Sequence, residues 1–282
     1  MHWRMANNLM ARLLTDTNSV REGRRQRMLQ AQLQKQFEKR FYDEMTRASR
    51  EIVEFWQQTG AVQSPRGHIE RVTKIYEDLA KSSYVVFGMR IFDQGKAIGY
   101  PLEVKEDFGQ WLIRSALQYI AGEMIRQRIQ SVADTTRSII TRAIASGFSE
   151  GLGQNDIARS IIDKIPLFNR SRANTIARTE VHGAANSGSV EAAKRTNLPM
   201  MKEWISTEDS RVRRFAEGSE YDHDAMNGVQ VEMDEPFVMT SRKGRKDVIM
   251  QPGDPKGAPG NIINCRCAVG FVVKNMPPLG GL

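Results

Sequence analysis

The sequence lacks the features that mark several large classes of protein. Cysteine is rare, and its two occurrences, Cys265 and Cys267, exclude a framework of disulfide bonds. No apolar run approaches the roughly 20 residues that a membrane-spanning helix needs. No Gly-x-x-x-x-Gly-Lys phosphate loop occurs. A membrane channel and a packaging motor ATPase are therefore disfavoured.

Basic residues outnumber acidic ones, and the excess is concentrated at one end of the chain. The 282 residues carry a formal net charge of +8, and residues 1–50 hold eleven basic and five acidic side chains. Such a segment favours contact with double-stranded DNA or with an acidic protein surface, although a solvated helix face explains the charge equally well. The candidate contact residues are Arg21, Arg24, Arg25, Arg27, Lys35, Lys39 and Arg40.

Hydrophobic periodicity predicts long helices in the first two thirds of the chain. Apolar residues recur at steps of three and four from Leu29 to Phe55 and again from Ile69 to Leu79. Further helices are expected over residues 106–146, from Gln154 to Ile165 with Pro166 closing that helix, and from Ser171 to Thr196.

After Pro199 the pattern changes to short β-prone runs separated by Gly, Pro, Asp and Asn clusters, with basic residues 242–246 at an expected hairpin tip. The predicted fold class is α+β, with long helices in the N-terminal two thirds and a small, loop-rich mixed module at the C-terminus. The predicted divisions are a basic helical region (1–105), a long connecting helix with a short helix (106–170), the C-terminal module (171–275) and a flexible tail (276–282).

The C-terminal third contains an ordered series of short motifs. The motifs are Ala177-Arg178-Thr179-Glu180, Trp204, Asp209-Ser210-Arg211-Val212-Arg213, His223, Gly228, Pro236-Phe237, Pro252-Gly253-Asp254-Pro255 and Asn264-Cys265-Arg266-Cys267. The closing Asn-Cys-Arg-Cys is the most specific of them. In this order the motifs resemble the phage head morphogenesis domain, the Mu F-like minor head proteins of tailed double-stranded DNA bacteriophages, over about residues 130–273.

The resemblance implies a minor capsid protein that is present in few copies and acts with the portal during head assembly. The implied partners are the portal protein, the major capsid or scaffolding protein and double-stranded DNA, with no membrane partner. The implied location is the virion at the portal vertex, preceded by the host cytoplasm during assembly. A DNA-binding ejection protein that enters the host cell with the genome is an alternative.

The same module contains the donor groups of a zinc site. Two thiols and an imidazole are soft and borderline ligands that suit zinc, and a loop-rich module gains folding free energy from a structural metal ion. Alternatively, the thiols are small buried hydrophobes and the histidine is a hydrogen-bonded loop residue. The predicted ligands are Cys265, Cys267, His223 and Asp209, with Asp254 or His182 in place of Asp209 as alternatives.

No pair of nucleophile and base accompanies these residues, so we expect a structural and non-enzymatic role. The competing hypothesis is a metal-dependent nuclease or hydrolase with Glu208 or Asp224 as general base. Arg178-Thr179-Glu180 also resembles the short arginine and glutamate motifs of ADP-ribosyl transfer enzymes. That motif is too short to indicate an activity by itself.

Overall fold

A computed structural model describes residues 20–97, 107–207 and 209–274. The predicted tail at 276–282 and the candidate base Glu208 lie outside the described residues. Within them, an N-terminal set of long helices is followed by a small strand-containing module, which confirms the predicted α+β class. The long helices are α1 (Val20–Thr59), α2 (His68–Ala97), α3 (Phe108–Ala121), α4 (Glu123–Ser149) and α5 (Gln154–Arg195).

The apolar stripe predicted on the first helix forms the centre of the helical core. Phe37, Phe41 and Met45 of α1 are fully buried, and the Phe41 ring meets the Tyr76 ring of α2 edge to face at 5.4 Å between centroids. The small residues of α5 allow other helices to approach it closely. At Gly188, for example, an added Cβ would lie 2.8 Å from the Cα of Tyr84.

The single helix expected over residues 106–146 is wrong, because the structure divides it into α3 and α4 at Gly122. Gly122 is extended, with φ −62° and ψ 141°, and its N–H donates to the carbonyl of Tyr119. The Asp107 carboxylate accepts hydrogen bonds from the N–H groups of Gly109 and Gln110, which fixes the start of α3. The apolar spacing continues across the break and therefore conceals it.

The helix end expected at Pro166 is also wrong, since Pro166 lies inside the continuous 42-residue α5. Proline removes one backbone hydrogen bond from a helix interior. The turn before it is held by packing, because Ile161 and Ile165 are buried in a cluster that includes Ile52 and Trp56 of α1. Burial of apolar side chains on both helices outweighs the lost hydrogen bond.

The C-terminal module contains two small antiparallel sheets. Strand β1 is the centre of the first and pairs with β2 and β5, while β3 and β4 form a hairpin. The basic residues 242–246 lie at the tip of this hairpin, as predicted. The strands are β1 (Met200–Ile205), β2 (Gln230–Glu232), β3 (Phe237–Thr240), β4 (Lys246–Ile249) and β5 (Ala268–Val273), and a short helix α6 spans Pro259–Ile262.

The core of the module consists of aromatic residues from its different segments. Trp204, Tyr221 and Phe237 are fully buried, and Cys265 and Cys267 pack against them. Strand β5 also packs against α5, so the module rests directly on the helical core. Among the described residues, no helix has the length and apolarity that a membrane crossing requires.

A buried lysine is an exception to this apolar core. Lys202 of β1 is fully buried, and within the described residues its amine makes no hydrogen bond. The amine lies 5.5 Å from the centroid of the Phe237 ring. Burial lowers the pKa of Lys202 to about 8, because the charged form loses hydration that the ring only partly replaces.

We predict that Lys202→Met raises the free energy of unfolding at pH 7 by about 1 kcal/mol or more, because it removes a buried and poorly compensated charge. The folded-state pKa, about 8, lies below the unfolded value of 10.5. The wild-type protein therefore gains stability as the pH rises through that interval, and the advantage of the variant should shrink there. Urea unfolding at pH 7 and pH 10 measures both effects.

The matched control is Lys246→Met, at an exposed lysine of β4. Its stability should stay within about 0.5 kcal/mol of wild type at both pH values. Equal behaviour of the two variants would contradict the assignment of the effect to burial.

Candidate metal centre and its surroundings

The structure brings together three of the four residues predicted as metal ligands. His223, Cys265 and Cys267 are 1%, 2% and 2% exposed, and their ligand atoms all lie within 4.8 Å of one another. His223 lies in the segment between β1 and β2, whereas the two cysteines lie between α6 and β5. Trp204 covers one side, with its ring edge to face with the His223 ring at 5.4 Å. The cluster therefore lies inside the module.

Asp209, the fourth predicted ligand, is not part of this cluster. Its two carboxylate oxygens accept hydrogen bonds from the Arg266 guanidinium at 2.6 and 2.9 Å. Arg266 and the N–H of Arg211 hold the pKa of Asp209 well below its usual value. The ion pair joins the start of the 209–213 segment to the residue between the two cysteines.

The alternative ligands and the candidate base serve other purposes in the structure. The Asp254 carboxylate accepts hydrogen bonds from the N–H groups of Met250 and Lys256 and so closes a turn. Asp224 pairs with Arg214 at 3.0 Å. His182 is buried in α5, and burial lowers its pKa to about 4. Within the described residues, none of the three is in the His223 cluster.

The Arg178-Thr179-Glu180 motif of α5 holds neighbouring segments in place. The Thr179 hydroxyl accepts a hydrogen bond from the N–H of Asn264 at 3.0 Å, and Arg178 donates to the Asn264 side chain. Asn264 has φ 60°, a left-handed conformation that turns the chain into Cys265. Glu180 is buried and pairs with Arg128 of α4 at 3.2 Å.

Asn186, in the C-terminal third of α5, connects segments that are more distant in the chain than those joined by any of these residues. It is fully buried, and its amide nitrogen donates to the carbonyls of Pro252 and Cys267 at 2.9 and 3.0 Å. Its amide oxygen accepts from the N–H of Val269 and from the Gln26 side chain of α1. The side chain thus places the strand that follows the cysteines. Sequence patterns did not reveal this role, because its partners are far away in the chain.

The predicted basic contact residues divide into three groups. Arg21 and Arg24 lie in α1, but their side chains are outside the described part. Arg27, Lys39 and Arg40 have partners within the fold, namely the carbonyl of Ser206, Asp43 and Asp78. Arg25 and Lys35 are exposed. The structure therefore uses part of the basic stripe for internal contacts.

A groove of about 650 Å³ lies between α4, α5 and the 255–263 segment. Sequence analysis did not anticipate it, since its three walls are distant in the chain. Arg128, Arg172 and Glu180 are among its lining residues. Arg172 donates to the Thr136 hydroxyl, the Val132 carbonyl and the Asn169 side chain, all of which are uncharged. Burial lowers the pKa of Arg172 to about 10.

Comparisons with known proteins agree with the motifs of this module. Residues 138–270 match the family described as "Phage Mu protein F like protein". That segment runs from the middle of α4 to β5 and includes the whole metal-ligand cluster. Residues 138–270, just under half of the chain, are therefore similar to the Mu F-like phage head morphogenesis domain, and this similarity supports a role in building the head of a bacteriophage.

Two curated relatives are similar to parts of the chain. One, from Enterococcus faecalis (strain ATCC 700802 / V583), is named NAD(+)--arginine ADP-ribosyltransferase EFV and is 26% identical over 188 residues, which are 66% of this chain and 35% of that protein. The other is the uncharacterized protein YqbB of Bacillus subtilis (strain 168), 25% identical over 138 residues, or 49% and 42% of the two chains. This chain thus matches less than half of the length of either relative. No solved structure matches this chain significantly.

We predict that Asn186→Ala destabilises the protein by roughly 3 kcal/mol or more, because the carbonyls of Pro252 and Cys267 and the N–H of Val269 lose a buried partner. Chemical unfolding followed by tryptophan fluorescence measures the change. Asn155→Ala, at an exposed position of the same helix, is the control and should cost less than about 1 kcal/mol. Similar losses for both variants would show that the amide is not the central contact.

Proposed function

We propose that the protein is a minor capsid protein that is present in few copies and docks on the portal or the inner surface of the shell during head morphogenesis. The observation that carries this proposal is the Mu F-like domain at residues 138–270. The protein would be part of the virion at the portal vertex and would assemble in the host cytoplasm. Its function would be structural and not enzymatic.

The groove beside α4 and α5 is the docking surface that we propose for a portal or capsid segment. Apolar side chains at its edges remain accessible, with Met124 39% and Ile263 42% exposed. Apolar residues of this size that line one concave surface are typical of a binding groove. An aliphatic side chain of the partner would bury this surface.

The charges of the groove residues indicate which kind of partner segment would bind there. Glu180 is already paired with Arg128, while the described contacts of Arg172 are to uncharged acceptors. A partly buried guanidinium without an anionic partner attracts a carboxylate. We therefore propose that the occupant is an acidic and apolar segment of the portal protein.

The test introduces a carboxylate into the groove. Met124→Glu should reduce the number of copies of the protein per head by roughly tenfold. Docking would place the new carboxylate next to the acidic residues of the partner, and the two negative charges would repel each other. A tenfold loss corresponds to about 1.4 kcal/mol of binding free energy. Quantitative mass spectrometry of purified empty shells and DNA-filled particles, with cross-linking to neighbouring proteins, gives copy number and location. Leu117→Glu is the matched control, at a residue of α3 that is also 39% exposed.

Each outcome of this experiment decides a separate point. Normal incorporation of Leu117→Glu with loss of Met124→Glu supports the groove as the docking surface. Equal incorporation of both variants would reject the groove but leave the head role intact. Absence of the wild-type protein from both kinds of particle, with the protein free in the infected cell, would reject the head role itself.

DNA contact is a second candidate function, and the exposure of Arg25 and Lys35 on α1 favours it. If they bind phosphates, the double variant Arg25→Gln, Lys35→Gln should flatten the slope of log affinity against log salt by about 1.8, as expected for two phosphate contacts. Fluorescence anisotropy of duplex DNA at several salt concentrations measures the slope. Lys164→Gln, Arg170→Gln removes two exposed charges of α5 as the control. An unchanged slope in the α1 variant would leave an acidic protein surface as the partner.

The name of the Enterococcus faecalis relative raises ADP-ribosyl transfer as a further possibility for this chain. The contacts of the arginine and glutamate motif favour a structural role instead. Glu180 is buried against Arg128, and Arg178 donates to Asn174 and Asn264. A catalytic glutamate has to contact its substrate, and this carboxylate is committed to an ion pair between two helices.

A further inference from the structure

We infer that His223, Cys265 and Cys267 hold a zinc ion as a three-ligand protein site, with a non-protein donor in the fourth position. The inference is independent of the head role, which would stand without it. It differs from the ligand set predicted from the sequence, since Asp209 is bound by Arg266 and lies outside the cluster. Three observations support it, namely the histidine tautomer, the spacing of the donor atoms and the cavity beside them.

A chain of hydrogen bonds fixes which ring nitrogen of His223 is available to a metal. The amide nitrogen of Asn261 donates to the Asp247 carboxylate at 2.7 Å, which can only accept. The Asn261 amide oxygen therefore faces His223 Nε2 at 2.8 Å and requires a proton on that nitrogen. The lone pair of the neutral ring is then on Nδ1, the atom that faces both sulfurs. Such a carboxylate-backed arrangement behind a histidine is typical of metal ligands.

The separations of the donor atoms match tetrahedral zinc. Zn–N bonds of about 2.0 Å and Zn–S bonds of about 2.3 Å at a tetrahedral angle place nitrogen and sulfur about 3.5 Å apart. His223 Nδ1 lies 3.4 Å from the sulfur of Cys267 and 3.7 Å from that of Cys265. In extended chain, residues two apart point to the same side, which explains how a Cys-x-Cys sequence directs both thiols at one imidazole.

The fourth position has space beside it. A cavity of about 120 Å³ adjoins all three ligand residues and is also lined by Arg211, Arg213 and Arg266. Zinc with two thiolates and a neutral imidazole carries no net charge, so the arginines do not oppose the ion. Their positive charges favour an oxygen donor with partial or full negative charge, such as zinc-bound hydroxide or a small anion, in the remaining position.

The experiment uses zinc itself and the full-length chain. Protein from zinc-supplemented medium should contain one zinc per chain by inductively coupled plasma mass spectrometry. Replacement by Co²⁺ should give tetrahedral visible bands and thiolate-to-cobalt charge-transfer absorption in the near ultraviolet. Wild-type protein without stoichiometric zinc and without these cobalt bands would overturn the inference, whatever the variants do.

The variants decide the ligand set. Cys265→Ser, Cys267→Ser and His223→Gln should each lower zinc affinity at least tenfold in competition with a chromogenic chelator. Asp209→Asn should retain one zinc per chain with unchanged cobalt bands. Loss of zinc from folded Asp209→Asn protein, with folding checked by circular dichroism, would make the aspartate a ligand and reject the three-ligand site.

Discussion

The structure depends above all on one buried amide. Asn186 uses both donor hydrogens and both acceptor positions of its side chain, and its four partners belong to α1, the 252 turn, the second cysteine and the start of β5. A buried amide is stabilising only when these groups are satisfied together, since each unsatisfied group has a large desolvation cost. The C-terminal module can therefore lie on α5 in one arrangement, in which Cys267 has a fixed position.

Other polar contacts fix the positions of the remaining residues of the candidate metal centre relative to Cys267. Thr179 holds the backbone of Asn264 just before the first cysteine, and Asp209 holds Arg266 between the two cysteines. Gly183 allows the 252–255 turn to approach, because a Cβ there would lie 2.8 Å from the carbonyl oxygen of Gly253. Residues of one short motif thus form hydrogen bonds and ion pairs with residues of another. Their order in the sequence reflects contacts between α5 and the module.

The sequence predicted those features that depend on local patterns. The α1 stripe, the α+β class and the hairpin at residues 242–246 follow from spacing and turn residues. The predictions of one unbroken helix over residues 106–146 and of a helix end at Pro166 were wrong, because tertiary packing decides both features. His223, Cys265 and Cys267 were identifiable by residue type, but Asn261, Asp247 and Arg172 were not. Asparagine, aspartate and arginine are common on surfaces, and only the fold shows that these three face a cluster or a groove.

The groove and the proposed zinc site are physically connected. The segment from Pro255 to Ile263 forms one wall of the groove, and Asn261 in the same segment bonds to His223. Cys265 follows two residues after Ile263. A zinc ion that links His223 to both cysteines would therefore restrict the motion of this segment from the side opposite the groove. Docking of a partner would then cost less conformational entropy. In that arrangement the effect of the metal on the partner would be exerted through a groove wall that is already in the binding conformation.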